Sequence, residues 1–385
     1  MTENKPLKIL IGCDTFAPDV NGAAKFTVRL AAGLVNHGHQ VVVVAPSPDT
    51  AWGTRHETHD GADMTVFRLR SWKWFNHPWL RFALPWEGFR NSARILDEVQ
   101  PDVVHIQSHI NVGYTLVRAA RKRGIRIVAT NHFMPDNAVQ FVPVPNFVRN
   151  ALAWVAWQIA AGTYRLVDAV TTPTRRAADY LEKNTHITDV QAISCGLNVS
   201  AYKPVVGVRS QPNAVFVGRL ELEKHIDDFL RALASITDLG LTATIVGLGD
   251  DKPRLMKLSS SLGLDDRITY MGHVTDEVIV DTLSNATVFV MPSTAELQSI
   301  ATMEAMASGL PIVAANAMAL PHLVHDGENG YLFEARNWQE LADKLRAVVT
   351  APAEQYEAFQ RESLAIVQDH DIETTLQTFE SLYRG

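Results

Sequence analysis

Disulfides cannot hold this chain together. Of its 385 residues only Cys13 and Cys195 are cysteines, and each sits in an apolar stretch that reads as a small buried thiol, so a reducing cytosol is expected. Long apolar runs are missing too. No segment approaches the roughly 18 residues that a membrane-spanning helix requires, and the start, Met-Thr-Glu-Asn-Lys-Pro, shows no apolar core of a leader. The expectation is a protein that neither spans a membrane nor is exported. Basic excess is lacking overall, since the net charge is −7, and this argues against general affinity for nucleic acid. Charged residues make up 20% of the chain and apolar ones 46%, with 18 Pro and 22 Gly; that balance excludes intrinsic disorder and repetitive fibres. At about 150 residues per domain the length predicts two or three cores.

The charge is unevenly spread. Residues 1–200 carry 21 Lys and Arg against 16 Asp and Glu, a balance of +5, and the remainder carries 14 against 26, a balance of −12. The two halves should therefore face different partners. Short β-branched runs recur at Lys8–Asp14, Gln40–Ala45, Thr65–Leu69, Asp102–Ile106, Arg126–Thr130, Ala169–Thr172 and Val190–Ile193. Helical spacing fills Ala23–His37, Val112–Gly124 and Asn146–Tyr164. Continuous apolar strands alternating with helices predict a parallel βαβ array. After an aperiodic stretch with Pro204, Gly207 and Pro212, a second series runs through Ala214–Val217, Thr242–Val246, Ile268–Met271, Thr287–Met291 and Pro311–Ala315. The expectation is an α/β fold of two doubly wound, Rossmann-like domains facing a central cleft where strand carboxyl ends converge. Its divisions are 1–198, a hinge at 199–212, 213–365, and a final helix over 366–385 packing back toward the first domain.

Several clusters can carry chemistry. Asn21-Gly22 opens a helix after the first strand, where unpaired amides and the helix dipole both favour an anion. Arg219 lies just past a strand end and Lys224 near the next helix; together they can clamp a diphosphate and stabilise it as a leaving group, or else pair with Glu221 and Glu223. Glu296 falls in a strand-to-helix loop, and Glu304 lies eight residues on, about 12 Å further along a helix at 1.5 Å per residue. That is too long for a hydrolase dyad, which needs roughly 5–9.5 Å. Between them Gln298-Ser299-Ile300 offers helix-terminal amides to phosphate. The spacing of His105 and His109 matches a zinc helix, but His105 falls in a strand pattern and no third ligand accompanies them.

Glu296-x7-Glu304 followed by Ala-Met-Ala-Ser-Gly-Leu-Pro, together with Gly218-Arg-Leu-x3-Lys224, Val246-Gly-Leu-Gly-Asp250 and the Asn21-Gly22 loop, resembles the retaining GT-B glycosyltransferases of family four. The motifs fall in the family's order from Gly12 to about Tyr331. The resemblance implies a nucleotide-sugar donor and no metal or other cofactor. It gives Arg219 and Lys224 the donor diphosphate, Glu304 the ribose hydroxyls, Glu296 the donor hexose, Gly22 a phosphate contact through its amide, and the segment around Val274 the base. His132, after the strand ending at Thr130, takes the role of the family's histidine at the transferred sugar. Two departures stand out: Gly22-Ala23 replaces a glycine pair, and Lys224-His225 replaces Lys-Gly.

The acceptor side rests on composition. Arg68–Trp86 holds four Trp, two Phe and four basic residues in 19 positions, and Val139–Val148 is apolar; such segments suit an anionic bilayer interface, or else interdomain packing or a sugar-stacking wall. With the resemblance, which implies hexose transfer from a nucleotide sugar, first choice mannose from GDP-mannose, this gives the expectation of a membrane lipid or glycolipid hydroxyl as acceptor at the cytoplasmic membrane face. A soluble acceptor, a nucleotide-sugar epimerase on the same fold, and a nucleotide-binding module without catalysis are the alternatives.

Overall fold

The computed structural model describes residues 5–19, 21–74, 77–135, 144–208 and 211–385, with the backbone alone at 74 and 77–80. The chain divides into two compact units, Met1–Ser194 with Glu373–Gly385, and Cys195–Ile372.

The first unit begins β1 (Lys8–Gly12), α1 (Gly22–Asn36), β2 (Gln40–Pro46), β3 (Gly53–His59), β4 (Ala62–Leu69), β5 (Ser71–Trp74), β6 (His77–Ala83) and α2 (Pro85–Val99). It continues with β7 (Val103–Ile106), α3 (Asn111–Arg121), β8 (Arg126–Thr130), α4 (Asn146–Tyr164), β9 (Ala169–Thr172), α5 (Arg175–Thr185) and β10 (Gln191–Ala192). Eight strands form one sheet in the order β10-β9-β8-β7-β1-β2-β4-β3. All pairs are parallel except β3 with β4. One core cluster holds Leu10, Val104 and Ile127 of the sheet with Leu96 of α2, Leu116 of α3, Trp157 of α4 and Leu181 of α5, so these four helices cover one face. Period-two alternation sends Ile9 and Ile11 to the other face.

Three elements were not expected. Strand β3 is antiparallel and alternates between half-buried and exposed residues; as a polar edge strand it lacks the apolar run that marks a buried one. Its turn is Asp60-Gly61, with φ of 46° and 76°, the left-handed pair of a two-residue hairpin loop. The Trp-rich segment folds into the β5–β6 hairpin, and α2 follows it with Pro85 at its first turn, where proline's missing N–H is no loss.

The second unit contains β11 (Asn213–Val217), α6 (Ile226–Ser235), β12 (Thr242–Val246), α7 (Lys252–Ser261), β13 (Ile268–Gly272), α8 (Asp276–Ser284), β14 (Val288–Met291), α9 (Ile300–Ala307), β15 (Ile312–Ala315), α10 (Leu320–Leu323), β16 (Gly330–Phe333), α11 (Trp338–Val349) and α12 (Ala353–Gln368). Its six strands, ordered β13-β12-β11-β14-β15-β16, are all parallel. Edge strand β16 also went unread in the sequence. The last helix, α13 (Ile372–Arg384), belongs almost wholly to the first unit. There Phe379 packs against Phe26 of α1 and His105 of β7, and Leu376 stands where a side chain at Gly33 would go.

Candidate active site

In the second unit the loops that follow β11 and β12 meet backbone to backbone. A Cβ at Gly247 would come 1.9 Å from the carbonyl oxygen of Gly218, and one at Gly249 would come 2.2 Å from that of Leu220. Gly247 also has a φ of +137°, which only glycine adopts readily. The Gly218 N–H donates to Val246 and the Leu220 N–H to Leu248, and this lacing holds Arg219 at the carboxyl end of β11.

A single 3₁₀ turn, Leu222–Lys224, then carries Lys224. Its Nζ donates to Glu296 Oε1 at 2.5 Å, with both side chains 12% exposed. Burial pushes the Glu296 carboxyl up, but the Lys224 charge and hydrogen bond, helped by Ser293, outweigh it and hold the group below the usual carboxylate range. Arg219 donates to Glu223 Oε1 at 3.2 Å while remaining 45% exposed. Both expected cations therefore lie together and both are ion-paired. Lys224 pairs with Glu296, and Arg219 with one of its two suspected partners.

The turn after Lys224 accounts for the second departure from the family pattern, His225 in place of glycine. His225 has φ 47° and ψ 40°, a left-handed conformation that glycine enters without strain. The imidazole offsets that cost through bonds of its own. Nδ1 accepts from Arg336 at 2.8 Å, so Nε2 carries the proton it donates to Thr294 Oγ1 at 2.9 Å. Burial, then the Arg336 charge, lowers its pKa to about 4. The Thr294 N–H and the Ser293 hydroxyl both donate to the Glu223 carbonyl, which stitches the Lys224 turn to the loop bearing Glu296. Ser293, Thr294 and His225 carry no sequence signal beyond their nearness to the motifs.

Helix α9 starts only at Ile300, with Ser299 at its cap in the left-handed region, φ 73°. Glu296 therefore lies in the preceding loop, and the straight-helix spacing of about 12 Å to Glu304 does not apply. The opening amides of α9, at Ile300 and Ala301, lack intrahelical partners by geometry. The Ser299 hydroxyl meets Thr302 Oγ1 at 2.7 Å. Gln298 is buried, and its side-chain oxygen accepts the Cys195 N–H at 2.8 Å. Glu304 is buried at 5% exposure inside α9, and Val274, after β13, packs partly buried against the core.

In the first unit Asn21 caps α1 by accepting the Ala24 N–H at 2.9 Å, which leaves Gly22 as the helix's first residue. His132 follows β8, tilted against Phe26 with ring centroids 5.0 Å apart. Its Nε2 donates to Gln107 Oε1 at 2.9 Å, and burial lowers its pKa to about 4. A neutral ring held this way keeps Nδ1 as an acceptor. His105 is no zinc ligand in this arrangement: its two ring nitrogens meet the hydroxyls of Tyr383 and Thr130, each at 2.7 Å. Both cysteines are buried and neither forms a disulfide. In the Trp-rich segment, Arg68 is buried and paired with Glu57 at 2.5 Å, and Arg81 donates to Ser71 Oγ at 2.8 Å, so two of its four cations serve the fold. Trp72 packs edge-on to Trp86. The side chains of Trp74 and Trp79, and residues 139–143 of the second apolar patch, lie outside the described residues.

Residues 20–201 match the family described as Glycosyltransferase Family 4, and residues 192–364 match glycosyl transferases group 1. Among curated relatives, alpha-monoglucosyldiacylglycerol synthase of Acholeplasma laidlawii is 27% identical over 88% of this chain and 87% of its own. A GDP-mannose-dependent alpha-mannosyltransferase of Mycobacterium tuberculosis is 28% identical over 89% and 88%. Sucrose-phosphate synthase from Thermosynechococcus elongatus shares the fold with a TM-score of 0.83 at 19% identity, over 98% of each chain. HepE of Anabaena, in complex with UDP-glucose, does so with a TM-score of 0.76 at 18% identity, over 98% of this chain and 100% of its own.

Proposed function

We propose that this chain, which belongs to the GT-B glycosyltransferases of family 4, transfers a hexose with retention from a nucleotide sugar to a hydroxyl of a membrane lipid or glycolipid. The observation that carries the reading is the Lys224–Glu296 pair beside Arg219. Two cations and a carboxylate at the carboxyl end of a parallel sheet suit a donor whose diphosphate must leave and whose sugar must be held by its hydroxyls. In this reading Arg219 and Lys224 take up the charge that develops on the diphosphate, with the amides beyond Gln298, at the Ser299 cap and at Ile300 of α9, adding to it. Glu296 accepts from the hexose, Glu304 accepts from the ribose, and Val274 lies against the base. Gly22 and His132, carried by the first unit, serve the phosphate and the transferred hexose. The neutral imidazole suits hydrogen bonding to a sugar hydroxyl better than proton transfer at neutral pH.

The protein's own cations do the work a divalent ion does elsewhere, so transfer should survive EDTA. The names of two relatives, a diacylglycerol glucoside synthase and a GDP-mannose-dependent enzyme, support a lipid acceptor and GDP-mannose as the first donor to try. No helix among the described residues is long and apolar enough to cross a membrane, and peripheral contact with the anionic cytoplasmic face fits such an acceptor. The test is incubation with radiolabelled nucleotide sugars and a total lipid extract. Label in the organic phase supports the reading. Label on added free sugars alone points to a soluble acceptor, and conversion of the donor without an acceptor points to an epimerase.

A further inference from the structure

Helix α4 turns an uncharged face to solvent. Phe147 is 76% exposed, Trp154 63%, Ile159 60%, Val155 46% and Leu152 41%, and none of the exposed positions from 147 to 162 bears a charge. At 100° per residue these side chains share one arc, opposite the buried Ala153, Trp157, Ala160 and Tyr164. A helix lying on a sheet normally keeps charge on that outer arc, so a stripe of this size marks a contact surface.

Its surroundings identify the partner. Helices α3 and α4 contain Arg118, Arg121 and Arg149 and not one carboxylate. At the start of α2, on the same side of the sheet, Trp86 and Phe89 are 60% and 53% exposed, with Arg90 and a half-buried Glu87 beside them in sequence. Phe89 packs edge-on to Tyr114, and the Arg118 guanidinium lies 5.5 Å from the Tyr114 ring centre. Exposed Trp and Phe rimmed by arginine is the chemistry of an anionic bilayer interface, where rings enter the headgroup level and cations stay at the phosphates. The unit's positive balance works in the same direction.

We infer that the outer face of α4, with Trp86, Phe89 and the α2–α3 arginines, is the surface by which the first unit docks on anionic lipid. This deepens the lipid-acceptor reading and moves the contact from the Trp-rich hairpin to the helix layer.

The test is co-sedimentation of the full chain with vesicles of equal parts phosphatidylglycerol and phosphatidylcholine, against phosphatidylcholine alone. The protein should bind the first at least ~10-fold better, less so at high salt. The triple variant Phe147→Ser, Trp154→Ser, Ile159→Ser should lose at least ~10-fold of that binding with its melting temperature retained. As a milder probe, Val155→Cys labelled with an environment-sensitive dye should shift its emission to the blue on the anionic vesicles. Unchanged binding by a folded triple variant, or no emission shift, overturns the proposal. So does a dimeric parent that becomes monomeric in the variant while neither binds vesicles, because the face would then cover a second copy. Because vesicle binding is read without donor, vesicle docking without sugar transfer would strike the enzymatic reading alone, and transfer to lipid without docking would strike this surface alone.

Discussion

Two groups compete for Lys224. Without donor its charge compensates Glu296, a carboxylate 12% exposed; with donor it would have to serve a diphosphate. An exposed lysine could be removed with no cost to folding, but removing this one leaves a buried carboxylate without its cation, which costs more than the pair itself contributes. Lys224→Ala is expected to lower kcat/KM by at least ~10²-fold, about 3 kcal/mol, and also to lower the melting temperature. Adding Glu296→Gln should recover much of the stability and none of the turnover, a non-additivity that a double-mutant cycle measures directly. Near-wild-type turnover in Lys224→Ala would remove Lys224 from the site. The two glutamates should separate in the same way. Glu304→Gln should weaken binding of the nucleoside diphosphate in calorimetry, whereas Glu296→Gln should leave that binding intact and damage transfer. Equal losses of affinity would mean that one of them has been assigned to the wrong end of the donor.

At the level of elements, the buried parallel strands were legible because each is a short, continuous β-branched run. Arg126–Thr130, Ala169–Thr172 and Thr242–Val246 end where the sequence pattern ends. Strand β3 was not, although Asp60-Gly61 marks its turn, because a polar edge strand has no apolar run to reveal it. The site was legible as a set of residue types and not as a set of contacts. Lys224 and Glu296 are 72 positions apart, and their meeting depends on a left-handed His225 that local propensity would not favour. The glycine contacts are likewise a product of tertiary structure: Gly247 and Gly249 look like an ordinary turn until the Gly218–Leu220 backbone is seen against them. Gly249→Ala should force that backbone away by placing a Cβ at 2.2 Å from the Leu220 oxygen. The expected cost is about 1–3 kcal/mol, together with weaker binding of the nucleoside diphosphate, because Arg219 lies on the displaced loop. Calorimetry and a thermal melt check both; a variant equal to the parent in each would show that the two loops yield without moving Arg219.

For the molecule as a whole, histidine burial sets the response to acid. Burial lowers His105 to about 3 and His109 and His132 to about 4 in the first unit, and lowers His225 and His370 to about 4 in the second. An unfolded chain would take up protons on all five near pH 6.5 while the folded chain refuses them until near pH 4. Stability from these groups is therefore complete above about pH 6.5 and drains away as pH falls toward 4, by up to ~1.4 kcal/mol per pH unit for each fully neutral ring and less for a partly exposed one such as His225. His37 has the opposite sign. Burial works against its charge, but bonds to Glu380 and Glu373 raise its pKa, so its contribution is present in acid and lost as pH rises through that raised value; burial raises the carboxyls of Asp14, Asp19, Glu221 and Asp228 with the same sign, and lowers His322 of the second unit with the sign of the other five rings. Seven of the eight tryptophans lie in the first unit and only Trp338 in the second. Intrinsic fluorescence thus reports mainly the unit with three of the depressed imidazoles, while circular dichroism reports both. Urea unfolding at pH 7.5, 6 and 5 should show the fluorescence midpoint falling steadily with pH, and falling further than the dichroism midpoint. A fluorescence midpoint that stays level from pH 7.5 to 5 would mean that the buried rings of the first unit are protonated in the folded protein, and with them His132, whose proposed role requires a free Nδ1.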